Sequence, residues 1–274
     1  MQYPSLRVLR HQVERFPFLA VAYRKIRGVW LLHTSQPVMT CHGFKLVGNP
    51  AMQSGTFEPD ETRFLESSLA KADTFVDIGA NIGYFSCLAR SLGKRVVAIE
   101  PLAENLDYLF RNLSLNGFDD VEVFPLGLAE RPGLSSLFGG STGASLVKGW
   151  ADATDAYRST IATNKLDTLL RDHTEDRLLI KMDVEGGEFR VLQGATQTLG
   201  RSPRPQWLVE ICLTEHHPGG INPHFEDVFA LFWKHGYKSY TVGCERRVVG
   251  PDDIRRWVRA RSRDFGGYNY EFTG

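Results

Sequence analysis

Two hydrophobic rhythms alternate along this chain. Short unbroken apolar runs are each followed by a longer stretch in which apolar residues return every third or fourth place. The runs read as strands buried on both faces, and the periodic stretches read as amphipathic helices. TFV opens one strand, within TFVDIGANIGYFS (74–86), and RVVAIEP (95–101) and VEVFPLGLA (121–129) predict two more. LLIKM (178–182) predicts a strand interrupted by Lys181, and WLVEICLTEHH (207–217) predicts one carrying His216 and His217 to the same sheet edge. KSYTV is a further strand, and NYEFT closes the chain as an edge strand.

Between them, Leu106, Leu109, Phe110 and Leu113 mark a helix face that Gly117 ends. Phe189, Leu192, Ala195 and Leu199 mark a second, and HFEDVFALFWKHGY a third. Pro59, with Asp60 and Glu61 in the first turn, announces a helix whose apolar face is Phe64, Leu65, Leu69 and Ala70. NKLDTLLRD is a short helix, and residues 38–47 form a hairpin with Gly43 in its turn. ERPGLSSLFGGSTGASLVKG reads as a loop or irregular hairpin over the sheet, either a lid or a plain surface loop. This alternation predicts an α/β fold with a doubly wound, mostly parallel Rossmann-like sheet whose late strands turn antiparallel. Residues 1–55 form an extension, helical with a short hairpin, and residues 56–274 form the main domain.

Composition adds boundaries. The chain has 274 residues, 42% hydrophobic and 23% charged, with a net charge of +0. That suits one sizeable domain, and no nucleic-acid partner is expected. Cys41, Cys87, Cys212 and Cys244 form no C-x-x-C pair, which suggests a reducing, cytoplasmic setting without a zinc site. No apolar run has the length of a membrane span. FPFLAVAY is interrupted by Pro17 and closed by Arg24 and Lys25; the segment to Trp30 packs on the main domain or lies on a membrane or partner.

The chemistry concentrates in two stretches. In the first, Asp77-x-Gly79-x-Asn81-x-Gly83 sets an acid and then small residues in a strand–turn–helix corner. Glycine lets the backbone approach a ligand, and a helix N-terminus offers unpaired N–H groups. The register is not G-x-G-x-x-G, and an acid there repels a pyrophosphate. It suits an ammonium-bearing ligand such as the methionine part of S-adenosylmethionine. The plainer reading is an unliganded corner with Asn81 as helix cap. Glu100 lies about 20 residues on, where such sheets place the acid for ribose hydroxyls; the alternative is an exposed strand-end carboxylate. Residues 126–128, with Leu128, should pass near the adenine.

In the second stretch, Asp183, Glu185 and Glu188 stand at a strand mouth. They hold a metal through oxygen, supply a general base, or, for Glu188, favour a helix N-terminus. Glu210, an acid within an apolar strand, either bonds ligand or pairs with Lys181.

FEPDE, FVDIGANIGYFS, VVAIEP followed by N-x-x-L, IKMDVEGGEFRVLQGA and then VEI together resemble the FkbM-type methyltransferases, a family of class I S-adenosylmethionine-dependent enzymes. The resemblance covers roughly residues 55–213. It implies a seven-stranded sheet with the last strand antiparallel, S-adenosyl-L-methionine as cofactor, and O-methylation of a small-molecule or glycan hydroxyl. Carried over, Asp77, Gly79, Asn81, Gly83 and Glu100 bind cofactor and Glu58 lies at the entrance. From the residues themselves, Asp183 and Leu128 join the cofactor set, and Asp183 or His216 serves as base with Glu185 or Glu210 orienting. A divalent metal would use Asp183 and Glu185, but with no third ligand in view none is predicted. A homo-oligomer is compatible with the sequence. The rivals are a non-catalytic cofactor-binding module and a nicotinamide-dependent oxidoreductase.

Overall fold

The computed structural model describes residue 30 and residues 34–140, 143–153, 157–243 and 245–274. The expected amphipathic segment before Trp30 and Cys244 lie outside them. Two short strands, β1 (Val38–Met39) and β2 (Lys45–Leu46), form the expected antiparallel hairpin. Helices α1 (Pro50–Ser54) and α2 (Pro59–Leu69) lead into β3 (Thr74–Ile78), and α3 (Tyr84–Ser91) comes after it. The next units are β4 (Arg95–Ile99) with α4 (Ala103–Leu115), then β5 (Glu122–Phe124).

The expected single strand over 121–129 is divided. β5 ends before Pro125, which has no N–H for a ladder. The chain turns there, and β6 (Gly127–Leu128) joins a separate three-stranded sheet with β7 (Gly133–Phe138) and β8 (Arg158–Asn164). So the Gly/Ser-rich stretch begins as a regular strand, β7, paired along its whole length with β8.

α5 (Leu166–Leu169) precedes β9 (Leu178–Met182), α6 (Glu188–Gln193), α7 (Thr196–Gly200) and β10 (Gln206–Glu210). The predicted helix through Leu199 is broken at Gly194 and Ala195, although Leu192, Ala195 and Leu199 are all buried as expected. β10 stops at Glu210, so His216 and His217 sit in the turn beyond it rather than on the strand. The chain closes with α8 (Phe225–Lys234), β11 (Lys238–Thr241), β12 (Val248–Val249), α9 (Pro251–Ala260) and β13 (Asn269–Thr273).

The main sheet has the order β12-β11-β13-β10-β9-β3-β4-β5. It has eight strands, not seven; the added one is β12, a two-residue edge strand. β13 is antiparallel as expected, but it is not an edge. It is paired on one side with β10 and on the other with β11. Its burial explains this: Tyr270 and Phe272 enter the core, while Glu271 on the opposite face is bridged by Arg246.

Period-two alternation divides the strands between two cores. Val76, Ile78, Val97, Ile99, Ile180, Met182 and Val209 face α5 to α8. Phe75, Val96, Ala98, Leu179 and Leu208 face α2, α3 and α4, where Phe44, Leu46 and Met52 of the N-terminal hairpin and α1 also pack. The same alternation puts Asp77, Lys181 and Glu210 on the face of Phe75, Leu179 and Leu208.

Candidate functional site

At the C-terminal edge of β3, β4 and β9 lies an open cleft of roughly 630 Å³. One wall is the turn after β3, with Gly79 and Asn81; a second is Glu100, Pro101 and Asn105. Leu126, Gly127 and Leu128 form the apolar floor with Ile78, Ile99 and Val191, and Asp183, Val184 and Glu185 close the far end. Open α/β sheets bind ligands at this position.

The turn is shaped by backbone necessity. Gly79 has φ +84°, and a Cβ there would run into the carbonyl oxygen of Asp183. Asn81 is also left-handed, at φ +52°, so it is not the helix cap; Gly83 occupies that place on α3. The Glu100 carboxylate fastens this turn: it accepts the Asn81 N–H at 2.8 Å and the Leu102 N–H at 2.8 Å. Burial pushes Glu100 up to about 7, against those two hydrogen bonds. The Asn105 side chain takes a third position, and an ionised carboxylate has about four lone-pair sites, so Glu100 keeps room for one hydroxyl from the cleft.

The family model described as the methyltransferase FkbM domain matches residues 77–239, more than half of the chain. The chain belongs to the FkbM family of methyltransferases. A methyltransferase of Sordaria araneosa, sdnD, is 28% identical over 222 residues, which is 69% of this chain and 81% of that protein. Among solved structures, the O-methyltransferase of Bacillus cereus in complex with SAH shares 15% identity at a TM-score of 0.45, covering 81% of this chain and 83% of its own. The ribosomal protein L11 methylase of Lactobacillus delbrueckii subsp. bulgaricus shares 10% identity at a TM-score of 0.44, covering 86% and 96%.

In this FkbM chain the carboxylates divide between the two faces of the sheet. Asp77 does not join the cleft wall. It is buried under α3, accepts the Ser86 hydroxyl at 2.6 Å, and is raised by burial against the pull of Lys181. Lys181 is buried beside it, 3.0 Å from the Asp183 carboxylate and 4.9 Å over the Phe85 ring. Burial disfavours its ammonium, but Asp183, Glu58, Asp77 and Glu210 outweigh this and hold the group above its ordinary range. One cation thus serves four carboxylates. Glu58 caps α2 in a left-handed conformation at φ +40° and is pushed by burial up to about 7. Glu210 is raised by burial and by Asp183; its hydrogen-bond partner is the Cys212 thiol at 3.8 Å, not Lys181. Only Asp183 belongs to both groups, lining the cleft and ion-paired to Lys181.

Glu185, at φ +53°, lines the cleft and accepts the Trp150 indole N–H at 2.7 Å. Burial and the neighbouring Asp183 charge push it up to about 7, and the indole bond works against them. Trp150 packs over Gly186, where a Cβ would strike its ring. Ser145 donates to the Glu185 carbonyl, and Ala144 and Leu146 reach the cleft. The described part of the Gly/Ser-rich stretch is therefore a cover pinned over the far end. Glu188 is fully buried at the start of α6, accepts the Gly186 N–H at 2.9 Å, and is pushed by burial up to about 8.

His216 is exposed and does not line the cleft; its ring stands 5.7 Å from Trp150 and its carbonyl accepts the Ala151 N–H. Among the described residues, no group of three or more His, Cys, Asp or Glu is arranged to hold a metal ion. No helix of the described residues is long and apolar enough to cross a membrane.

Lys181 and Trp150 are the site residues that strand reading undervalues. Lysine within an apolar strand is the signal for the first. A tryptophan closing a glycine-rich stretch is the only signal for the second.

Proposed function

We propose that this protein is an S-adenosylmethionine-dependent O-methyltransferase that acts on a hydroxyl of a small-molecule or glycan acceptor. The cleft carries the reading. Its Gly79–Asn81 turn is open to backbone approach, the Glu100 carboxylate is placed for ribose hydroxyls, and Leu126 and Leu128 offer apolar cover for adenine. Asp183 and Glu185 at the far end suit an ammonium or sulfonium charge. Family membership fixes methyl transfer as the chemistry.

The bound cofactor would supply an activated sulfonium methyl. The residues of this chain position the acceptor and manage its proton. On accepting that methyl, the acceptor hydroxyl would have to lose its proton. Glu185 is suited to receive it, because its carboxyl sits near neutrality and its Trp150 bond fixes its direction. Asp183, held by Lys181, orients the neighbouring charge. Positioning of this kind supplies about 7–11 kcal/mol in ideal intramolecular cases. Asp77 acts from beneath, through Ser86 and Lys181, as support for the turn.

Calorimetric titration with S-adenosylhomocysteine tests this. Glu100→Ala should weaken binding at least tenfold, and Asp77→Ala should weaken it less. Unchanged affinity in Glu100→Ala removes the proposed site. Methyl transfer to nitrogen or carbon but not oxygen acceptors would retain the cofactor site and overturn the hydroxyl assignment.

A further inference from the structure

A second groove, of roughly 950 Å³, lies on the α2 side of the same sheet edge. It runs between the first turn of α2, the end of β11 and the approach to β13, and includes Asp60, Glu61, Gly243, Glu245, Tyr268 and Asn269. Asn269 is the ladder partner of Glu210, so the groove starts one strand away from the carboxylate group around Lys181. Glu210 and Glu58 both act on the Tyr268 phenol, which the Glu210 charge chiefly, then burial, pushes up to about 12. Glu61 in turn acts on Glu58. The groove and the carboxylate group therefore share one electrostatic neighbourhood.

Its lining is specific in character. Glu61 accepts the Asn269 amide at 2.6 Å, which orders both side chains and leaves the second Glu61 oxygen free to accept. Neither Glu61 nor Glu245 has a cation within ion-pair distance among the described residues; Arg247, which also lines the groove, is ion-paired to Asp264 and attracts Glu245 at longer range. Tyr268 is 41% exposed beside them, with the Arg263 guanidinium 5.9 Å from its ring centroid. Carboxylate, amide and ring together match a polyhydroxylated ring: hydroxyl pairs bond the acid and amide, and the C–H face lies on the tyrosine. The lining carries four carboxylates, Asp60, Glu61, Glu245 and Asp264, against the arginine Arg247, and this net negative charge repels phosphate and carboxylate groups and favours an ammonium.

We propose that this groove is the acceptor-binding site, that it takes an uncharged or amino-bearing sugar ring and rejects anionic ones, and that Tyr268 and Glu61 set this selectivity. The proposal rests on the methyl-transfer reading of the adjoining cleft.

The test uses the full chain saturated with S-adenosylhomocysteine and three probes, read by saturation-transfer NMR titration. These are methyl α-D-glucopyranoside, its 2-amino-2-deoxy analogue, and the corresponding methyl uronate. The expected order is amino sugar, then neutral sugar, with the uronate at least tenfold weaker. Tyr268→Ala should weaken both binders at least fivefold. Glu61→Gln, which keeps an acceptor for Asn269, should abolish the preference for the amino sugar and spare the neutral one. Both variants should retain the native melting temperature and S-adenosylhomocysteine affinity. Binding of the uronate as tight as the others, binding of none of the three, or indifference to both substitutions overturns the proposal. Absence of S-adenosylhomocysteine binding in the native chain would instead strike the cofactor reading.

Discussion

The two sides of the sheet edge solve different problems. On the side of α5 to α8, the cleft joins a glycine turn, two amides anchored on Glu100 and a floor of aliphatic side chains, with Asp183 and Glu185 at the far end. On the α2 and α3 side, one lysine stands among Glu58, Asp77, Asp183 and Glu210, contributed by a helix cap and three strand ends. The first is a preformed shape whose Glu100 is already tied to the backbone. The second is a charge balance centred on one ammonium. A nucleoside needs a preformed slot, and the Lys181 group holds the shared Asp183 in place beside Glu185, the acid proposed to take the proton.

Four substitutions and one change of pH would break or sharpen this contrast. The largest effect is expected at the point where the two sides touch. Gly79→Ala would add about 1–3 kcal/mol of backbone strain from its positive φ alone, before its Cβ meets the Asp183 carbonyl. Melting temperature should fall and S-adenosylhomocysteine binding should drop below calorimetric detection. Lys181→Met should cost about 3–5 kcal/mol of stability, because it leaves buried carboxylates without their cation. Urea denaturation measures it, and a loss under about 1 kcal/mol would show that the carboxylates do not depend on this lysine.

Smaller and more selective effects are expected at Glu185. Glu185→Gln should lower kcat by roughly 10²–10⁴-fold if it takes the proton, with S-adenosylhomocysteine affinity retained. Trp150→Phe removes the indole donor that favours the carboxylate, so the acid limb of the kcat profile, expected near pH 7, should move to higher pH. A limb that stays put would separate Trp150 from the base.

The smallest effect concerns stability. Burial raises Glu58, Glu100 and Glu185 from 4.5 to about 7 and Glu188 from 4.5 to about 8. The native chain therefore keeps protons that the unfolded chain releases, and stability must fall as pH rises from about 4.5 to about 8. His217, which burial holds below its ordinary range, works the other way, against these four and against Asp77 and Glu210, which burial also raises. The free protein should melt a few degrees higher at pH 5.5 than at pH 8. A higher melting temperature at pH 8 would mean that these acids are ionised in the native state.

The same contrast separates what is legible in the chain from what is not. The cleft side is legible because its parts are local. The turn after β3 is one contiguous motif, Glu100 ends the next strand, and apolar runs mark β3, β4 and β9 with nearly their observed bounds, while β10 starts about where expected but stops at Glu210. The other side is made by topology. Glu58 and Lys181 come together through strand alternation and the cap of α2, which no spacing in the chain records. Asp77 borders the glycine turn, which points it to the ligand in a linear reading, but alternation sends it under α3. β13 reads as an edge because chain order says nothing of insertion between β10 and β11. α9 carries a readable signal in Pro251, Asp253, Ile254 and Trp257, the cap and inward face of a short helix.

The most direct test is a crystal structure with S-adenosylhomocysteine bound. The ribose hydroxyls should lie within hydrogen-bond reach of the Glu100 carboxylate, with the sulfur directed to the Asp183 and Glu185 end. A nucleoside seated instead on the α2 side, away from Glu100 and the Gly79 turn, would contradict the account.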